Sequence, residues 1–295
     1  MKNTFAKKFT VCALAGVLGF VLSACDDSSS AGGDGGETST KSSNSSSSSV
    51  TPSDVEGSSK TVWDYLNPDI NYGEFTDERD GQVYRTVKIG DQVWMAENLN
   101  YAYTGVKFYG EKYTSDSTSW CYENKVSNCD KYGRLYTWAA AIDSVKLAND
   151  ADNPLDCGFS KRCDLSGKVQ GLCPSGWHLP DTTEWNSLFT AVGGGSTAGT
   201  KLKSQTAWHP FTDPSTFTVI TSEDTFGFSA LPAGIILAFG TFSYDGDKAL
   251  FWSSTDVHRD AAYYMYLDFV SDQARLFTYD YKNGGYSVRC VKDSD

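Results

Sequence analysis

The strongest hydrophobic pattern in the chain lies between Leu172 and Val192. Trp177 and Leu179 point one way and His178 the other, as on a short strand. Pro180 lacks an N–H and ends that ladder. Asp181 is then in place to cap a helix, and Glu184 three residues on completes a capping box. Trp185, Leu188, Phe189 and Val192 recur at i, i+3, i+4 and i+7, an apolar stripe that has to be buried, and Gly193-Gly194-Gly195 stops it. The spacing therefore predicts a strand feeding a capped helix.

The remaining pattern is mostly strand. Trp63 to Phe75 reads as a lead-in whose Trp63, Tyr65 and Leu66 dock on the body of the domain. Asp80-Gly81 marks a turn, and Val83 to Ile89 alternates with Val83, Arg85, Val87 and Ile89 on one side. Gly90-Asp91 predicts a two-residue hairpin loop, with Val93-Trp94-Met95 returning. Glu97 and Asn98, just beyond, are read as partners for backbone groups at a strand exit. A helix opened by Gly133 is expected to put Leu135, Trp138, Ala139 and Ile142 on one face. Thr200 to Trp208 predicts a second short helix or a turn. Phe226 to Pro232, ended by the proline, Phe251 to Ser254, Ala261 to Phe269 and Ser287 to Val291 predict strands. Along Ala261 to Phe269, Tyr263, Met265, Leu267 and Phe269 face one way and Tyr264, Tyr266 and Asp268 the other. Short strands, long loops and about two helices predict one α+β domain with a largely antiparallel sheet.

The start of the chain changes this picture. Lys2, Lys7 and Lys8 precede an apolar run from Phe9 to Val21, which predicts a secretory signal over residues 1–24, too short to span a membrane as a helix. Leu22-Ser23-Ala24-Cys25 resembles the lipobox of bacterial lipoproteins, which implies cleavage before Cys25 and acyl chains on it. Residues 25–59 are Ser, Gly, Asp and Thr with almost no apolar side chains, the composition of a flexible tether. The domain is thus expected over residues 60–295, in the cell envelope, with the outer membrane or cell surface favoured. Asp26 after Cys25 resembles the inner-membrane retention signal of enteric bacteria and keeps that membrane open as an alternative.

Loss of the three leader lysines takes the formal charge from −12 to −15. A chain so acidic is a poor match for nucleic acid or for anionic lipid surfaces, which reward basic patches. Seventeen Tyr, sixteen Phe and eight Trp are enough both to fill a core and to leave rings at the surface.

Without Cys12 in the leader and Cys25 on lipid, six cysteines remain: Cys121, Cys129, Cys157, Cys163, Cys173 and Cys290. An even set beyond the inner membrane implies three disulfides, and 15 pairings are open to it. Proximity favours Cys121–Cys129 and Cys157–Cys163, which leaves Cys173–Cys290 to join the strand before the central helix to the last strand. No CxxC pair exists and histidine is scarce, so no metal centre or other cofactor is implied. Asn149-Asp150-Ala151-Asp152-Asn153 is rich in oxygen ligands but lacks the glycine and closing glutamate of a calcium loop, and is read as a solvated acidic loop.

Several segments resemble one family. Asp80-Gly81-Gln82-Val83-Tyr84, Trp94-Met95-Ala96-Glu97-Asn98-Leu99-Asn100-Tyr101 and Tyr132-Gly133-Arg134-Leu135-Tyr136-Thr137-Trp138 carry the resemblance, with Cys173 to Trp185, Phe226 to Gly234, Phe251 to Ser254 and Ser287 to Lys292. Together they resemble the Fibrobacter succinogenes major paralogous domain, a family of exported, often lipid-anchored proteins without an established function. More distantly, Gly176 to Trp185 and the closing strand resemble the formylglycine-generating-enzyme and C-type-lectin-like fold. The late cysteine pair of those enzymes and the calcium–sugar motifs of those lectins are missing from this sequence.

No nucleophile elbow, P-loop, zinc-protease or dinucleotide motif occurs. Anchor, tether, disulfides and aromatics point to a non-catalytic binding lipoprotein for plant-fibre polysaccharide or another surface protein. The alternatives are a structural envelope lipoprotein and a glycosidase-like enzyme using a carboxylate pair or histidine. Trp208, Tyr264, Tyr266, Tyr279 and Tyr281 are the candidate ligand contacts, since aromatic faces stack on sugar rings.

Overall fold

Two β-sheets of short strands close over the capped helix at the centre of the chain. The computed structural model describes residues 60–103, 118–278 and 281–294. The expected leader, Cys25, the tether to Ser59 and Tyr279 lie outside the described residues. Contacts divide the chain into Met1–Val55 and Glu56–Asp295, and the described residues all fall in the second unit.

A 3-10 turn at Val62–Tyr65 leads into β1 (Gly73–Thr76), β2 (Val83–Ile89) and β3 (Gln92–Met95). Then follow β4 (Ser119–Trp120), α1 (Val126–Tyr132), β5 (Leu135–Tyr136), α2 (Trp138–Ala141) and α3 (Ser144–Ala148). Next come β6 (Trp177–His178), α4 (Thr182–Ala191), α5 (Gly195–Leu202) and the small hairpin of β7 (Phe211–Thr212) and β8 (Val219–Ile220). The last elements are β9 (Ala233–Ile236), β10 (Phe242–Asp245), β11 (Lys248–His258), β12 (Ala261–Asp268), β13 (Ala274–Phe277), β14 (Tyr286–Ser287) and β15 (Val291–Lys292). The class is α+β with mostly antiparallel pairing; β11 runs parallel only to β9 and β14. Five short α-helices are described where about two were expected. All but α4 have four to eight residues, too few turns for an apolar stripe to register in sequence.

The first sheet has the order β1-β2-β3-β15-β6. The second runs β10-β9-β11-β14-β5-β4, with β12 and then β13 added beside β11. The expected closing strand is therefore divided: β14 ends in the large sheet, and β15 enters the small one after three intervening residues. Two further expectations need correction. Gly133 does not open a helix; it closes α1 at φ 71°, and a Cβ there would lie 2.8 Å from the Leu99 carbonyl oxygen. The next helix starts at Trp138, capped by Thr137, whose hydroxyl accepts from the Ala140 amide at 3.2 Å. Pro232 precedes strand β9 rather than ending one, and Phe226 to Pro232 forms a turn and an extended run.

The Gly90-Asp91 hairpin forms with Ile89 opposite Gln92. At α4 both halves of the capping box are made: Asp181 Oδ1 accepts from the Glu184 amide at 2.8 Å and Glu184 Oε2 from the Asp181 amide at 3.0 Å. Trp185, Leu188, Phe189 and Val192 are buried as the stripe requires, with Trp185 4.8 Å from Trp94 of the first sheet and 6.1 Å from Phe251 of the second. Disulfides join Cys121–Cys129, Cys157–Cys163 and Cys173–Cys290, the last across 117 residues.

Candidate functional site

The register of β11, β12 and β13 puts a graded row of side chains on one sheet face. Trp252 pairs with Tyr264 and Tyr264 with Phe277; Leu250 pairs with Tyr266 and Tyr266 with Arg275; Lys248 pairs with Asp268. Directly paired residues share a face, so the row passes from a buried aromatic end to a charged rim. Tyr264 is buried among Trp252, Tyr286 and Phe277. Tyr266 is half-buried and packs edge-on to Phe277 at 5.2 Å. Its hydroxyl donates to Asp268, and the Lys248 ammonium lies 5.6 Å from its ring centre. At the rim Arg275 Nε donates to Gln273 Oε1 at 2.6 Å. These groups line an open cleft of about 450 Å³.

Of the residues singled out from sequence, Tyr264 and Tyr266 share this cleft and the other described ones do not line it. Trp208 is half-buried against the core around Trp94 and Trp185, donating its indole N–H to the Ala230 carbonyl at 2.9 Å. Tyr281 is 53% exposed, with its ring 6.3 Å from Phe159. Lys248, Gln273, Arg275 and Phe277 were missed. The pairing of β13 on β12 brings Gln273, Arg275 and Phe277 to Tyr266 and the pairing of β11 on β12 brings Lys248, and local alternation carries no signal of either.

A second polar cleft, also about 450 Å³, opens at the start of α4. His178 is buried there, with Nε2 2.6 Å from Glu184 Oε1 and Nδ1 2.6 Å from Asp293 Oδ1. Burial pulls the ring's pKa down, but the two carboxylates outweigh it and the net shift is upward. Glu184 thus caps α4 with one oxygen and holds the imidazole with the other. With both ring nitrogens engaged, His178 clamps β6 to the residue after β15 and has no free nitrogen for acid–base work. His209 and His258 are exposed at other points of the surface. Among the described residues no group of three histidine, cysteine or acidic side chains is arranged to hold a metal ion, the 149–153 loop included.

A model of the Fibrobacter succinogenes major domain matches residues 87–292. The chain belongs to that family. No curated protein and no solved structure matches it.

In this Fibrobacter succinogenes major domain, the segments that carry the sequence resemblance meet at one fully buried cation. Arg289, between β14 and β15, donates to the Phe228 carbonyl and, through Nη2 at 2.7 Å, to Asn98 Oδ1. Its guanidinium lies 4.3 Å from the Phe228 ring centre and 5.2 Å from that of Phe251. Asn98 in turn donates to the Tyr132 carbonyl at 2.8 Å and to Ser287 Oγ at 3.2 Å. Burial lowers the arginine's pKa to about 9 against the pull of Asp224 and Glu97. Asn98 therefore does the backbone-pairing work expected of it. Glu97 is equally buried and lies against the Arg85 backbone amide and the Trp63 indole, with neither carboxylate oxygen in full hydrogen-bond geometry.

Proposed function

We propose that the chain is a non-catalytic binding protein of the cell envelope, held by lipid on Cys25 and a tether over residues 25–59, and that the β11–β13 cleft binds sugar rings of a polysaccharide. The observation that carries this reading is the composition of that one face. Tyr266 and Phe277 offer apolar ring surface, while Asp268, Gln273, Arg275 and Lys248 offer planar or charged groups around it. The scaffold is read as C-type-lectin-like. Support comes from the Gly176-to-Trp185 run and from a disulfide that ties the turn leading into β6 to the residue before β15. No reacting group is needed. The buried histidine is fully engaged, and the cleft holds a single carboxylate, Asp268, where glycoside hydrolysis ordinarily uses two.

Retention of the purified protein on insoluble cellulose, xylan and chitin tests the reading. Tyr266→Ala and Arg275→Ala are each expected to weaken retention about fivefold, roughly 1 kcal/mol. Tyr281→Ala should leave it unchanged. Equal retention of all four proteins would remove the cleft from binding, and no retention on any polymer would favour a protein partner or a structural role. Release of reducing sugar abolished by Asp268→Asn would make the protein an enzyme.

A further inference from the structure

A smaller cavity of about 240 Å³ lies beneath the 3-10 turn at Val62–Tyr65, and it shares no lining residue with the aromatic cleft. Glu97 and Asn100 form part of its wall, with Trp63, Tyr84 and Asp130 around them. Three acceptor oxygens here are buried and unpaired: both carboxylate oxygens of Glu97 and Oδ1 of Asn100. A buried acceptor left without a donor is costly, and a buried carboxylate more so. The nearest donors, the Arg85 amide and the Trp63 indole, approach Glu97 without reaching it in hydrogen-bond geometry.

The surrounding cations are committed elsewhere. Arg289 is held by Asn98 and the Phe228 carbonyl. The Arg85 guanidinium pairs with Glu74 and stacks 4.6 Å from the Trp63 ring centre. Asp130 adds a second acid at the edge of the cavity, and Tyr84, whose hydroxyl accepts from the Asn100 amide at 2.9 Å, adds no cation. The site is therefore rich in acceptors and short of donors, with an aromatic ring on its outer side.

We propose that this cavity binds a primary ammonium group, supplied by a free alkylamine or by a lysine side chain. An ammonium has three N–H donors, which match the three unpaired oxygens, and its charge compensates Glu97 as a neutral polyol cannot. A divalent metal is a poorer occupant, since the described residues provide no cluster of three acidic or histidine ligands. Trp63, with its indole N–H beside Glu97, belongs to the exposed lead-in turn, so admission of the ligand requires that ring to shift and not the core.

Proton linkage supplies a second signature. Burial raises the Glu97 pKa to about 7 even though Arg289 and Arg85 pull it down. An ammonium favours the ionised carboxylate, so binding near neutral pH must release a proton and must strengthen as pH rises through 7.

The test is calorimetric titration of the full chain with n-butylammonium chloride and with Nα-acetyl-lysine methylamide, at pH 6 and pH 8, in two buffers of different ionisation enthalpy. The indole N–H resonance of Trp63 is followed in parallel. Saturable binding of either probe, a proton released on binding, affinity about tenfold higher at pH 8 and loss of about tenfold in Glu97→Gln are the expected results. Binding of both probes points to the ammonium alone, and binding of the lysine derivative only points to a peptide side chain. Should Glu97→Gln fail to fold, Asn100→Ala and the proton count on the unaltered chain decide the matter. The proposal falls if neither probe moves the Trp63 resonance at pH 8, if erythritol binds as well as the amines, or if binding takes up a proton.

Discussion

His178, in β6, and Glu97, two residues beyond the end of β3, lie toward opposite flanks of β15, whose Val291 pairs with His178 on one side and with Trp94 on the other. Both are buried polar side chains next to a strand end. The histidine has a carboxylate at 2.6 Å on each ring nitrogen, and its pKa shift favours the charged form. The glutamate has only the Arg85 amide and the Trp63 indole nearby, neither in full hydrogen-bond geometry, and its shift favours the neutral form. A buried charge with partners holds the fold together; one without partners gives up its charge or awaits a ligand. The difference separates a structural clamp from a candidate site, although the residue types alone suggest the reverse assignment.

The largest expected effect comes from cutting what both regions share. The Cys173–Cys290 bridge anchors the start of β15, and the Cys290 carbonyl accepts from the Met95 amide at 3.1 Å, two residues before Glu97. Replacing both cysteines by alanine should cost about 5 kcal/mol on the chain-entropy model for a loop of this length, read from denaturant midpoints. A loss below about 1 kcal/mol would mean that the two regions are held independently of the bridge.

Glu97→Gln comes next. The folded pKa, about 7, lies above the unfolded 4.5, so the native state holds a proton that the unfolded chain gives up between those values. The wild-type protein is therefore most stable, as far as this group is concerned, below pH 4.5 and loses that stability as pH rises to 7. Glutamine does not titrate, and the variant should gain on the order of 3 kcal/mol relative to wild type across that window. A flat stability difference from pH 4 to 8 would contradict the burial of an unpaired carboxylate.

His178→Gln should show the smallest effect. The imidazolium is favoured in the folded state, so its contribution is complete below the unfolded pKa of 6.5 and disappears as pH rises through the higher folded value. The variant should lose about 2 kcal/mol near pH 6 and progressively less in alkali. One variant thus starts level and moves to a gain, whereas the other starts with a deficit and moves toward zero. Matching curves for the two would erase the distinction between clamp and cavity.

Much of the fold was legible where a signal and its consequence lie within a few residues. Asp181 and Glu184 make their capping box, Gly90-Asp91 turns its hairpin, and Trp185, Leu188, Phe189 and Val192 go into the core. The short helices and the role of Gly133 were not, because a four-residue helix has no period and the glycine is required by a carbonyl 34 residues earlier in the chain. The candidate cleft was half legible. Alternation put Tyr264 and Tyr266 on one face, but it did not say that Tyr264 is enclosed by Trp252 and Tyr286 while Tyr266 reaches the opening. Asn98 and Glu97 looked alike in sequence, and only Arg289, 191 positions from Asn98, told them apart.

The sequence by itself determined the class, the central strand-and-helix unit, the family and the short-range cysteine loops, since each rests on turn chemistry, capping or neighbouring side chains. The tertiary structure decided the division of the last strand between two sheets, the company of Tyr266 and the isolation of Glu97. Those depend on which distant groups arrive to pair with a buried one, and hydrogen-bond satisfaction across more than a hundred residues leaves no local trace.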